Sequence, residues 1–299
     1  MCGIVGLFLK DKTLEPRLGE LLARMLEVMS DRGPDSAGFA VYGAGRPGFV
    51  KLSLRAPAGV DAETLAATLR GAAGGEVDLL VRDSHVIVEI PAASEAAVRA
   101  ALAAGHPEIT LVGSGARMEI YKEVGLPKAV AERFGLATMT GSHGIGHTRM
   151  ATESAVTTNG AHPFSTGPDQ CLVHNGSLSN HNDMRRVLAR DGIRFETEND
   201  SEVAAGYLTS RLARGEALGD ALKSALDALD GFYTFVVGTE SGFGVLRDPI
   251  ACKPAVMAET EHYVAFGSEY RALAGLPGIE TARVFEPEPA TVYFWERAA

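Results

Sequence analysis

The first nine residues place a cysteine directly before an apolar segment that has the length of a strand. Cys2 follows Met1, and residues 3–9 read Gly-Ile-Val-Gly-Leu-Phe-Leu. A continuous apolar run of this kind is typical of a strand buried on both faces. If Met1 is removed, Cys2 carries a thiol and a free α-amine on one residue. These groups have pKa values of about 8.5 and 7.7–8, so they can serve as nucleophile and base near neutral pH. The alternative, that Cys2 only opens a buried strand, stays open here.

Composition limits the class of protein. The 299 residues are 46% hydrophobic and 22% charged, enough for a sizeable core. A net charge of −10 argues against a general nucleic-acid-binding protein. No apolar run reaches membrane-spanning length and none follows a basic leader, so we expect a soluble, cytoplasmic protein. Cys2, Cys171 and Cys252 are too widely spaced for a disulfide framework or a metal site, and we expect no metal or other cofactor.

The next segment predicts a helix and then a polar loop. Residues 16–30 carry apolar side chains at helical spacing, with Pro16 suited to the first turn. Residues 31–38, Asp-Arg-Gly-Pro-Asp-Ser-Ala-Gly, contain more charge than a simple connection needs. We therefore expect this loop to form one wall of a site, followed by a short strand at residues 39–42.

Residues from 44 to about 135 differ in character from what flanks them. Extended stretches at 77–90 and 108–124 enclose a helix-like stretch at 94–104. The pattern predicts an inserted α/β subdomain that contains a β-α-β unit.

Three polar clusters follow this insertion, at residues 144–153, 159–164 and 174–180. His143 and His147 stand four residues apart, but the glycines between them disfavour a helix. On a strand the two histidines would lie about 13 Å apart, too far to share a metal ion.

The third cluster suggests an oxyanion-binding site. Residues 171–173 read as a buried strand, and a turn at Asn175-Gly176 could direct an amide and a backbone N–H at one point. An ordinary hairpin turn is the alternative. Residues 181–192 have helical spacing, so the return strand of a hairpin is missing.

Arg149 and Asp200 have complementary chemistry. The guanidinium of Arg149 matches a carboxylate, and Asp200 can pair with an ammonium group. Together they suit a zwitterionic α-amino acid. Asp200 also has the residue type and position of a helix N-cap, and both roles stay open.

Six ordered motifs carry a resemblance to a known family. They are Cys2-Gly-Ile-Val-Gly, Arg32-Gly-Pro-Asp-Ser-Ala-Gly, His147-Thr-Arg-Met-Ala-Thr152, Ala161-His-Pro-Phe, His174-Asn-Gly and Asp200-Ser-Glu. In this order they resemble the class II glutamine amidotransferase domain, whose members are N-terminal-nucleophile hydrolases. The resemblance covers nearly the whole chain outside the insertion.

The resemblance implies an α+β fold, a four-layer αββα sandwich with two antiparallel sheets between helical layers. Periodicity alone indicates only mixed α and β structure. The domain would be discontinuous, at about 2–43 and 136–299, with the inserted subdomain at about 44–135.

The resemblance also implies a role for each matching residue. Cys2 would attack the side-chain amide of L-glutamine, and a γ-glutamyl thioester would be hydrolysed to glutamate and ammonia. Asn175 and the Gly176 N–H would stabilise the oxyanion. The substrate α-carboxylate would be held by Arg149 and Thr152 and its α-amine by Asp200, while Arg32 would brace the surroundings of the nucleophile.

Free ammonia would be protonated in bulk water, so enzymes of this family deliver it to a synthase. The insertion looks most similar to stand-alone amidotransferase subunits of glutamate synthase-like enzymes, including N-methylglutamate synthase. We therefore expect a separate synthase subunit and a hetero-oligomer. Two alternatives remain: an N-terminal-nucleophile acylase acting on another amide, and a catalytically silent glutamine-sensing module.

Overall fold

A computed structural model describes residues 2–151 and 155–297. Within these residues the larger of two facing sheets has seven strands, and every neighbouring pair is antiparallel. In spatial order its strands are β15 (Arg283–Phe285), β13 (Val256–Glu259), β14 (Tyr263–Gly267), β1 (Gly3–Leu9), β8 (His143–Arg149), β2 (Ser36–Tyr42) and β7 (Met118–Val124).

The second sheet has five antiparallel strands in the described part of the chain. They are β16 (Thr291–Glu296), β12 (Gly242–Arg247), β11 (Gly231–Gly238), β10 (Gln170–Leu178) and β9 (Phe164–Gly167). The helices are α1 (Leu18–Val28), α2 (Ala62–Ala73), α3 (Glu95–Gly105), α4 (Pro127–Phe134), α5 (His181–Arg190), α6 (Asp200–Ala213) and α7 (Leu218–Ala228). None of these helices is both long and apolar enough to cross a membrane.

Strand β1 is buried along its whole length, which explains its unbroken apolar sequence. Val5 and Leu7 pack in the cluster beneath α1 and α4, whereas Ile4 and Phe8 pack in the cluster between the two sheets. Because successive side chains of a strand point to opposite faces, both faces must be apolar. Burying each such side chain contributes about 1.5–3 kcal/mol.

Helix α1 confirms the helix expected at residues 16–30. Its buried face consists of Leu18, Leu21, Leu22, Met25 and Leu26, all of which pack on the first sheet. Pro16 lies in a preceding 3-10 helix, Lys12–Arg17, so the α-helix begins later than the sequence suggested.

Three apolar clusters separate four layers and confirm the αββα sandwich. The first joins α1 and α4 to the larger sheet, and the second fills the space between the sheets. The third joins the five-stranded sheet to α5, α6 and α7. The order of layers is therefore helix, sheet, sheet, helix.

A separate sheet forms between β2 and β7. Its antiparallel strands, in the order β4 (Asp78–Arg82), β5 (His85–Pro91), β3 (Phe49–Arg55) and β6 (Thr110–Gly115), share an apolar cluster with α2 and α3. The chain order βαββαβ with this arrangement is a split β-α-β unit. This sheet lies within residues 49–115, whereas β7 and α4 pack into the sandwich. The boundaries of about 44–135 for an inserted domain stay a prediction.

The prediction of a turn at Asn175-Gly176 is wrong, because β10 continues through both residues to Leu178. Its partner is β11, where Asn175 lies opposite Thr234 and Gly176 opposite Tyr233. The local sequence did not reveal β11 as the partner of β10, because α5, α6 and α7 separate the two strands in the chain. The helix expected after residue 181 is confirmed by α5.

Candidate active site

Cys2 lies immediately before β1, at the end of the sandwich where several strand ends meet. Its backbone carbonyl accepts hydrogen bonds from Arg32 Nε at 3.0 Å and from Asn175 Nδ2 at 3.3 Å. Its Sγ lies 3.9 Å from the carbonyl oxygen of Met150. Cys2 thus contacts Met150, just beyond the end of β8 in one sheet, through its thiol and Asn175 of β10 in the other sheet through its carbonyl.

Arg32 is held from both sides. It ends a 3-10 helix, Ser30–Arg32, and its Nη1 donates to Glu269 Oε1 at 2.6 Å. The side chain of Arg32 is 9% exposed and that of Glu269 is 33% exposed, so this ion pair is partly buried and is screened less than a surface pair. Because the guanidinium is fixed by Glu269, it can hold the backbone of Cys2 in one place.

The polar loop that follows Arg32 lies against the end of β8. Asp35 Oδ2 accepts a hydrogen bond from the N–H of Ala151 at 2.8 Å, and the Asp35 N–H donates to the carbonyl of Arg149 at 3.1 Å. These two bonds fix the path of the chain on either side of Met150. The loop therefore positions the residues beside the thiol.

Arg149 is the last residue of β8 and is 6% exposed. Its Nη1 donates to the carbonyl of Ala155 at 3.4 Å. A planar guanidinium at the end of a strand can offer a fork of N–H groups to a carboxylate. Thr152, the other residue expected to hold the substrate carboxylate, lies outside the described residues.

Asn175 and Gly176 lie on opposite faces of β10. Asn175 is 4% exposed and faces Cys2, as its hydrogen bond shows. Gly176 has φ +154°, and a Cβ added there would lie 2.0 Å from the carbonyl oxygen of Phe232. Only glycine fits this backbone.

Asp200 is the first residue of α6, at the end of β10. Its Oδ2 accepts a hydrogen bond from the N–H of Leu178 at 2.9 Å. The helix is capped by Asn199, whose side chain accepts from the Ser201 N–H at 2.9 Å. The predicted N-cap role of Asp200 is therefore wrong, because the N-cap is the preceding residue, Asn199. The Asp200 carboxylate instead points toward β10.

Three buried histidines lie behind Asn175 and Asp200. The rings of His147 and His162 stack with centroids 4.0 Å apart, and His147 Nε2 donates to the carbonyl of His174 at 3.0 Å. Burial lowers the pKa of His147 to about 3 and of His162 well below its usual value. Burial also lowers the pKa of His174, against the opposing effect of the Asp200 charge. Burial therefore disfavours the protonated, charged form of all three rings.

The other cysteines have different surroundings. Cys171 is fully buried, and burial raises the pKa of its thiol to about 12. Such a thiol is not available as a thiolate. Cys252 is exposed and free of disulfide bonding. In the described ranges, no group of three or more His, Cys, Asp or Glu side chains is arranged to hold a metal ion.

The structure thus brings Cys2, Arg32 and Asn175 into direct contact and places Arg149 and Asp200 on the adjoining strand and helix ends. Sequence reasoning did not assign roles to Glu269 and Ser201. Ser201 lies in the Asp200-Ser-Glu motif, but the partners of both residues are remote in sequence. Glu269 pairs with Arg32, and Ser201 binds two of the buried histidines.

Comparison with solved structures supports the same architecture. The glutamine phosphoribosylpyrophosphate amidotransferase from B. subtilis superposes over 99% of this chain with a TM-score of 0.61 at 19% identity. The structure of the allosteric regulatory enzyme of purine biosynthesis superposes over 99% of this chain with a TM-score of 0.64 at 19% identity. The chain spans 47% of each of these, about half their length. The fold is that of an N-terminal-nucleophile hydrolase.

Sequence comparison identifies the family. A glutamine amidotransferase domain model matches residues 147–275. The glutamine amidotransferase-like protein GlxB of Rhizobium meliloti (strain 1021) is 65% identical over 99% of this chain and 98% of its own length. A putative glutamine amidotransferase of Methanothermobacter thermautotrophicus is 32% identical over 99% of this chain and 100% of its own. The chain belongs to the class II glutamine amidotransferase family.

Proposed function

We propose that this chain hydrolyses L-glutamine to L-glutamate and ammonia, with Cys2 as nucleophile after removal of Met1. The observation that carries the proposal is the contact of Asn175 and Arg32 with the Cys2 backbone at 3.3 and 3.0 Å. Two donors there fix the residue whose thiol must attack. Arg149 and Asp200 lie at the neighbouring strand and helix ends.

The reaction divides into two balanced steps. The Cys2 thiol adds to the side-chain carbonyl carbon of glutamine, and its proton passes to the α-amine. The tetrahedral intermediate collapses, the α-amine gives that proton to the leaving nitrogen, and ammonia departs from a γ-glutamyl thioester. Water then adds to the thioester, releasing glutamate and restoring the thiol. The Asn175 amide and the Gly176 N–H would stabilise the oxyanion in both steps.

Recognition of the amino-acid end would use opposite charges. Arg149 would bind the α-carboxylate, with Thr152 assisting, and Asp200 would bind the α-ammonium group. An acylase acting on a simple amide does not need this pair of charges, and a sensing module does not need Cys2. The presence of all these groups favours the hydrolase over both alternatives.

The test is glutamine hydrolysis by wild type, Cys2→Ala and Cys252→Ala. Cys252 is a free and exposed cysteine, so its variant controls for general thiol effects. We expect turnover in wild type and Cys252→Ala, and none in Cys2→Ala. Glutamine binding without turnover in wild type, with or without a synthase present, would indicate a sensing module. Turnover of another amide but not of glutamine would indicate an acylase.

We further propose that the ammonia passes to a separate glutamate synthase-like or N-methylglutamate synthase-like subunit. This chain matches two amidotransferase relatives over nearly their full length, 98% and 100%. By contrast, the glutamine–fructose-6-phosphate aminotransferase of Thermus thermophilus is 40% identical over only 20% of its own length. Co-purification of the native complex is the test, with a synthase subunit as the expected partner and a homo-oligomer as the contradicting result.

A further inference from the structure

The hydroxyl of Ser201 is a shared hydrogen-bonding partner at the start of α6. Ser201 Oγ lies 2.8 Å from His162 Nε2, 2.8 Å from His174 Nδ1 and 3.3 Å from Asp200 Oδ1. Ser201 is 2% exposed, and both histidines are also buried. The three partners come from a loop, a strand and a helix, so the hydroxyl joins separate parts of the fold.

Counting protons gives one consistent arrangement. The hydroxyl has a single proton, and each neutral imidazole has a single N–H. A carboxylate is the strongest acceptor among the three partners, so the Ser201 hydroxyl donates its one hydrogen bond to Asp200 Oδ1. Both rings must then donate to Ser201 Oγ, through His162 Nε2 and His174 Nδ1. The remaining nitrogens, His162 Nδ1 and His174 Nε2, have no hydrogen-bond partner among the described residues, as expected of unprotonated nitrogens.

Both oxygens of the Asp200 carboxylate are consequently held. Oδ1 faces the Ser201 hydroxyl, and Oδ2 accepts from the Leu178 N–H at 2.9 Å. Leu178 ends the strand that carries Asn175 and Gly176. The carboxylate is therefore fixed relative to the proposed oxyanion donors.

We propose that Ser201, oriented by His162 and His174, is a positioning residue that aims the Asp200 carboxylate at the α-ammonium group of the substrate. This inference rests on the proposed function, because it assigns the selectivity of that site. It makes the Ser201 hydroxyl a determinant of preference for α-amino acids over amides that lack the amine.

The experiment compares L-glutamine with 4-carbamoylbutanoate, which is glutamine without its α-amine. The variants are Ser201→Ala, Ser201→Thr, which keeps a hydroxyl, and Ser210→Ala, a control buried farther along α6. For Ser201→Ala we expect kcat/KM for glutamine to fall about 10-fold, mainly through KM, because a charge-assisted hydrogen bond is lost. In the same variant, kcat/KM for 4-carbamoylbutanoate should change by less than about 2-fold. Ser201→Thr should restore preference for glutamine, and Ser210→Ala should keep it.

Affinities for both ligands are measured as well on the Cys2→Ala background, where discrimination is read without turnover. If the wild-type protein binds glutamine without hydrolysing it and Ser201→Ala loses the preference for glutamine in binding, the proposed function is contradicted and the positioning role is supported. An equal loss for both ligands in Ser201→Ala would show a merely structural role and overturn the proposal. Unchanged discrimination in Ser201→Ala would overturn it too.

Discussion

Asn175 is the residue whose side-chain orientation the sequence could not supply. Its motif identified the amide as an oxyanion donor, but a turn was expected where β10 continues. On a strand, neighbouring side chains point to opposite faces, and the Asn175 side chain lies on the face that reaches Cys2. The residue types were predictable from local pattern, whereas their direction depends on pairing with β11, which is remote in sequence.

Removal of the Asn175 amide should therefore affect the rate more than substrate binding. For Asn175→Ala we expect kcat for glutamine hydrolysis to fall about 10²–10³-fold with little change in KM, because the lost donor acts on charge that develops in the transition state. Steady-state kinetics measures both constants. Asn182→Ala, at an exposed position on α5, is the matched control. A rise in KM with unchanged kcat would place Asn175 in substrate binding instead.

Elements with local periodicity were predictable, and elements defined by remote partners were not. Strand β1 and helix α1 follow from apolar spacing within a dozen residues. Strands β6 and β7 looked like one extended stretch in the sequence, yet β6 joins the small sheet and β7 the larger one. This division depends on the partners β3 and β2, which local spacing does not reveal.

Buried histidines should make stability fall on acidification. Within the described residues, burial is the main cause of the lowered pKa of five histidines. It lowers the pKa of His85 to about 4 and those of His143 and His147 to about 3. It also lowers the pKa values of His162 and His174. The unfolded chain, with histidine pKa values of about 6.5, then binds more protons. The stabilisation is complete above about pH 6.5 and is lost as pH falls toward the lowered values.

Urea unfolding between about pH 6.5 and 5 tests this, because most carboxylates titrate below that range. Each histidine protonated on unfolding adds a slope of up to about 1.4 kcal/mol per pH unit. His143→Gln should reduce the slope by up to one such increment. A free energy of unfolding that does not change across this range would contradict the prediction.

Lys122 of β7 should anchor the segment that follows β8. Its buried Nζ donates to the carbonyls of Ala161 at 2.9 Å, Asn159 at 3.3 Å and Pro163 at 3.4 Å. For Lys122→Met we expect a loss of about 1–3 kcal/mol in unfolding free energy, because buried carbonyls lose their donor. The exposed Lys128→Met should change it by less than about 0.5 kcal/mol. Equal effects of the two substitutions in urea titrations would refute the anchoring role.

At the scale of the whole molecule, the residues of the proposed active site lie at one end of the αββα sandwich. Periodicity indicated only mixed α and β structure, and the layer order came from the family resemblance. The small sheet between β2 and β7 has its own apolar cluster, and Tyr42 and Met118 are paired where the chain leaves and re-enters the larger sheet. We therefore expect this segment to be an insertion between two paired strands of the larger sheet.

The central claim is that the thiol of Cys2, freed from Met1, forms a covalent intermediate with glutamine. Intact-mass and peptide mass spectrometry of active protein, acid-quenched during turnover, test it most directly. We predict a chain that begins at Cys2 and carries one γ-glutamyl group on its N-terminal peptide, absent from Cys2→Ala. Active protein that retains Met1, or an adduct on Cys252 in place of Cys2, would contradict the account.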